Sequence, residues 1–164
     1  MDRFFLLLFG ICLFFTGCSN KSEFEQSAGD LTKEIKYVYN YFAASNSAPP
    51  EFVAKRWCDQ HRSWNYEDCG PAGYAVYTES EKSLVKRISM KGKTSYSAST
   101  YYTLLISGAE HEEVCKVLRD FLGGPLRART LHGGDYFEWK TDENIEVAVE
   151  KSSLSSYVTF VVCQ

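Results

Sequence analysis

The stretch from Tyr101 to the end of the chain constrains the fold most, because its hydrophobic period changes twice. Tyr101–Ser107 is dense in aromatic and β-branched residues and stops at Gly108, the pattern of a buried strand. From Glu110 to Leu122 the period lengthens. Val114, Val117, Leu118, Phe121 and Leu122 share one side, Glu110, Glu112 and Glu113 fill the first turn, and Lys116 and Arg119 follow. That charge order suits a helix dipole, and Gly123-Gly124-Pro125 ends the helix. Asp135–Lys140, Ile145–Lys151 and Tyr157–Cys163 then return to strand composition, separated by short polar turns, and read as an antiparallel meander.

Upstream, Phe24, Ala28, Leu31, Ile35, Val38 and Phe42 recur at spacings of three and four, which predicts an amphipathic helix to about Ala44. Tyr37, Tyr39 and Tyr41 also alternate as a strand would, so the end of that segment is ambiguous. A second, shorter helix is predicted to open at Pro49-Pro50, capped by Ser47, and to run through Trp57 and Cys58. Residues 63–73 read as a loop. Tyr74–Thr78 and Ser83–Met90 read as a hairpin, preferred over a helix that Thr78 and Glu81 would cap. Residues 92–100, rich in hydroxyls, suit a solvated connection or a ragged edge strand. The expected class is α+β: N-terminal helices, an antiparallel sheet and one helix packed on it. A chain of 164 residues without an internal repeat fits one domain.

The first residues lie outside that domain. Residues 4–15 are apolar and follow Arg3; 12 residues is the length of a secretory h-region and short of the roughly 20 a bilayer needs. Phe15-Thr16-Gly17-Cys18 resembles the lipobox of bacterial lipoproteins. The resemblance implies cleavage before Cys18, acylation of its thiol and, with Ser19 following, an outer-membrane anchor facing the periplasm. Residues 1–17 are then signal peptide, 18–26 a polar tether, and 27–164 the domain.

Cleavage and acylation would leave Cys58, Cys69, Cys115 and Cys163, an even number in an oxidising compartment. Three pairings are possible. The local ones, Cys58 with Cys69 and Cys115 with Cys163, join neighbouring elements and are expected to contribute roughly 2.8 and 4 kcal/mol by loop entropy. A metal site is not expected, because only His111 and Cys115 stand close in sequence, with His61 and His132 far away.

A net charge of −3 without a basic run argues against nucleic acid as a partner. No nucleophile elbow, papain-like signature or phosphate-cradling glycine pattern occurs, so neither catalysis nor a cofactor is expected. His61 and His111 read as surface or helix-end residues. Two features point toward binding a protein. One is the wealth of tyrosine, 11 in the chain, since tyrosine gives rigid contact area with a polar tip. The other is the segment from Leu126 to Tyr136, read as a long connection carrying Arg127, Arg129, His132 and Tyr136 as candidate partner contacts. In size, address and cysteine use the chain is similar to immunity and inhibitor lipoproteins of bacterial competition systems. That resemblance implies a lipid-anchored envelope protein that neutralises a periplasm-active toxin or hydrolase. The alternative is a structural or assembly lipoprotein of an envelope or secretion complex.

Overall fold

The computed structural model describes residues 23–45, 47–92, 99–123, 127–131, 134–140 and 145–162. The expected cleavage site, Cys18, His132 and Cys163 lie outside the described residues. The fold is α+β, with eight strands in one antiparallel sheet and the helices packed on one side of it.

Three helices come first: α1 (Glu23–Ser27), α2 (Leu31–Ala44) and α3 (Pro50–Gln60). Asp30 caps α2, its carboxylate accepting from the Lys33 amide at 3.1 Å. The tyrosine alternation at 37–41 is overridden, because a helical stripe there buries Ile35, Val38, Tyr39 and Phe42 together. Pro50 supplies the fixed φ of a first helical turn, and Pro49 takes the cap position in place of the expected Ser47, with no side-chain cap. The expected tether is shorter than read: Glu23–Gln26 belong to α1, and Phe24 is only 1% exposed.

The strands are β1 (Trp64–Asp68), β2 (Tyr74–Thr78), β3 (Val85–Lys91), β4 (Thr100–Ser107), β5 (Arg127–Leu131), β6 (Gly134–Lys140), β7 (Ile145–Ser152) and β8 (Ser155–Val162), with α4 (His111–Leu122) after β4. Their order is β1-β2-β3-β4-β8-β7-β6-β5. Two meanders thus meet at the β4–β8 pair, and α4 is the crossover that carries the chain from one to the other. Gly123, at φ 88°, closes α4 in the left-handed conformation glycine permits.

Two segments read as loops are strands. Residues 64–68 form β1, whose Trp64 is buried and whose pairing with β2 outweighs the turn residues at its end. Within residues 126–136, β5 and the start of β6 pair as a hairpin. The expected hairpin of β2 and β3 is present, and β6, β7 and β8 form the expected meander.

Helix residues Phe24, Ile35, Val38, Phe42, Val53, Trp57, Val114 and Leu118 meet sheet residues Val76, Ile88, Met90, Tyr102, Leu104, Ile106, Val149, Val158 and Phe160 in one core. Three helices contact the sheet, rather than the one expected: α3 lies on β1–β3, α2 on β3 and α4 on β8.

Glu34 ties the layers together. It is fully buried on α2, and its carboxylate accepts from the amides of Gly29 (2.7 Å), Leu84 and Val85 (2.8 Å) and from the Ser83 hydroxyl (3.0 Å). Buried acceptors persist where several donors replace water. This one joins the α1–α2 turn to the start of β3.

Candidate binding face

The buried positions of β4 alternate strictly: Thr100, Tyr102, Leu104 and Ile106 face the helices. Strand geometry sends Tyr101, Thr103, Leu105 and Ser107 to the other side. On β8, Ser156, Val158, Phe160 and Val162 are buried, so Tyr157, Thr159 and Val161 stand beside the β4 set on that second face. Among the described residues no helix covers it.

The register lines this face up in rows. One crosses all eight strands: Asn65, Tyr77, Arg87, Leu105, Tyr157, Glu150, Tyr136 and Arg129 are successive cross-strand partners. A second contains Glu67, Ala75, Ser89, Thr103, Thr159, Ala148, Glu138 and Arg127. The backbone thus brings Arg127, Arg129 and Tyr136 to register positions in rows that continue across the sheet. The Thr103 and Thr159 hydroxyls share a hydrogen bond at 3.1 Å, Ser107 and Ser155 another at 3.0 Å, and Arg87 donates to Glu67 at 2.6 Å. Tyr157 is 39% exposed, and Leu154, in the turn between β7 and β8, is 87% exposed.

At the end of this face a recess of about 460 Å³ is lined by Ser89, Lys91, Gly92, Tyr101 and Thr103, with Ala72 and Met90 at its side. Gly73 sets that wall. A Cβ there would stand 2.2 Å from the Met90 carbonyl oxygen, and φ is +104°, so only glycine lets the 70–72 turn approach β3 this closely.

The cysteine pairing is corrected for the first bridge: Cys58 and Cys69 carry free thiols. Cys58 sits on α3 within electrostatic reach of Tyr41 of α2, whereas Cys69 follows β1 and its sulfur accepts from Arg87 Nη2 at 3.4 Å. The two sulfurs answer to different neighbours. Burial, with Asp59 adding to it, pushes the Cys58 thiol up to about 11. Cys115 is on α4 as expected and buried, while the partner assigned to it, Cys163, lies outside the described residues.

Both described histidines are buried, contrary to the surface reading. His61 ends α3 fully enclosed by Phe24, Tyr37, Trp57 and Trp64. Its Nδ1–H donates to the Trp57 carbonyl at 2.8 Å, so Nε2 accepts from the Tyr37 hydroxyl at 3.1 Å. Burial lowers its pKa, favouring the neutral ring. His111 opens α4, with Nδ1 2.9 Å from the Ser156 hydroxyl and Nε2 3.5 Å from Cys115 Sγ. These contacts fasten α4 to β8 beside a pocket of about 280 Å³ lined by the β7–β8 turn. The Ser156 hydroxyl is nearly enclosed and the contacts join helix to strand, so the arrangement reads as a structural clamp. Among the described residues no three of His, Cys, Asp and Glu converge as metal ligands, and no helix is long and apolar enough to cross a membrane.

Tyr77, Leu105, Tyr157 and Lys91 on the bare face were not singled out in the sequence. A signal was present in the Thr and Ser residues alternating with apolar ones along 100–107 and 155–162, which marks strands with one solvated face. The chain matches no protein-family model, no curated protein and no solved structure.

Proposed function

We propose that this is a lipid-anchored cell-envelope protein, held through Cys18 at the outer membrane and facing the periplasm, which binds and neutralises another protein such as a toxin or hydrolase. The observation that supports the reading is the bare sheet face. An eight-stranded sheet whose second side carries Tyr77, Leu105, Tyr157 and ionisable groups in continuous rows offers a rigid, broad, mixed polar and aromatic surface. Interfaces of this kind rely on aromatic and arginine anchors within a polar surround. On this reading Cys18 stands five positions before Glu23, which keeps the start of α1 within about 17 Å of the lipid.

The test is capture with the full chain from envelope and secreted fractions, followed by an activity assay on whatever is captured. The expected result is one secreted enzyme or toxin bound and inhibited at equal stoichiometry, with inhibition lost in Tyr157→Asp. Recovery of envelope-machine subunits whose activity is untouched would replace the neutralising reading with the assembly one.

A further inference from the structure

We propose that the recess at the β3–β4 end of the bare face receives an acidic peptide segment of the protein partner; this rests on the partner-binding reading above and names the chemistry of its contact. The lining carries the argument. The Ser89 and Tyr101 hydroxyls, the Thr103 hydroxyl already shared with Thr159, and the Lys91 ammonium border the space, and among the described residues no carboxylate lines it. Hydroxyls and an ammonium donate to carboxylate oxygens, and charge-assisted bonds of this type are stronger than neutral ones.

Charge complementarity singles out Lys91. The neighbouring cation on the same strand and face, Arg87, is already held by Glu67 at 2.6 Å. Lys91 is exposed and makes no ion pair among the described residues. A volume of about 460 Å³ exceeds one carboxylate side chain and falls within the range of sites that enclose small ligands, so the occupant is a short segment rather than a single group.

Position in the fold agrees. α1 lies against the opposite strand ends: Glu25 accepts from Ser63, and Gly29, after α1, shares the Glu34 carboxylate with Leu84 at the start of β3. The recess is at the end of β3 and the start of β4, at the opposite ends of the strands from α1. The wall made by the 70–72 turn depends on Gly73 and is part of the backbone, so the site is shaped before any ligand arrives.

The experiment is calorimetric titration of the full chain in detergent micelles. The probe is a blocked pentapeptide whose three central residues are glutamate, aspartate and glutamate, compared with the same peptide carrying amides in their place. The expected result is salt-sensitive binding of the acidic peptide, weakened about tenfold or more both by the amide replacement and by Lys91→Glu. Lysine acylation of the unaltered chain gives a readout that needs no variant: the acidic peptide should protect Lys91 and leave exposed Lys33 and Lys55 unchanged. Equal binding of the two peptides, or Lys91→Glu binding as tightly as the parent, overturns the proposal. Failure of the partner-binding reading has a different signature, in which no captured protein is inhibited whatever the peptides do.

Discussion

Glu34 joins the α1–α2 turn to the start of β3 through its hydrogen bonds to residues 29 and 83–85. Replacing it with alanine would leave the Gly29, Leu84 and Val85 amides without their acceptor, whereas the Ser83 hydroxyl keeps the Val85 carbonyl at 2.8 Å, and each enclosed donor left so costs on the order of 1–3 kcal/mol. Glu34→Ala is therefore expected to lose about 3 kcal/mol in urea unfolding, with Glu34→Gln losing less because one acceptor oxygen remains. His61 makes stability depend on pH. Its folded pKa is lowered, so the unfolded chain takes up a proton first as pH falls, and stability decreases as pH drops through about 6.5 toward the folded value. The urea midpoint should fall between pH 7.5 and 5, and His61→Gln should flatten that part of the profile. At Cys58 the raised thiol pKa predicts an alkylation rate that keeps climbing with pH to about 11. A peptide pair linked through 58 and 69 in the unreduced protein would contradict the thiol geometry.

Among the elements, α1 has the weakest claim to independent structure, with five residues and no means of nucleating alone. It persists because Phe24 inserts among Tyr37, Trp57, His61 and Trp64, at centroid distances of 5.3–5.7 Å. Phe24→Ala should cost about 3 kcal/mol and raise hydrogen exchange in residues 23–27 more than in α2. The meander of β6–β8 and the helix α4 were legible in the sequence because turn residues and a change of period mark them. β1 was not, since Asn65, Glu67 and Asp68 are poor strand formers. Its place is secured by Trp64 in the core and by five register pairs with β2. The same applies to β5, where Arg127–Leu131 lacks an alternating apolar pattern and takes strand geometry from its pairing with β6.

For the molecule as a whole, one sheet separates a side packed by helices from one that no described helix covers, and neighbouring residues of one strand fall on opposite sides. Val158 is fully buried and Tyr157 is 39% exposed. Val158→Asp should abolish cooperative folding, because a charge would enter the core without a partner. Tyr157→Asp should shift Tm by no more than about 2 °C, the scale of an ordinary surface substitution in a domain of this size, while removing partner inhibition. Thermal unfolding followed by circular dichroism separates the two outcomes.

Periodicity, turn residues and helix caps determined the α+β class, the helices at 31–44, 50–60 and 111–122, and the C-terminal meander, because each is a local property of consecutive residues. Tertiary structure decided everything that depends on residues far apart in the chain. The sequence could not place Arg127, Arg129 and Tyr136 in rows with Glu138, Glu150 and Tyr157, because cross-strand register comes from pairing. It could not enclose His61 either, since the rings around it come from α1, α2, α3 and β1. Nor could it tell which face of the sheet the helices would cover. That choice follows from the union of apolar stripes on α2, α3 and α4 with the alternate positions of the central strands, and among the described residues it leaves the other face without a helix over it.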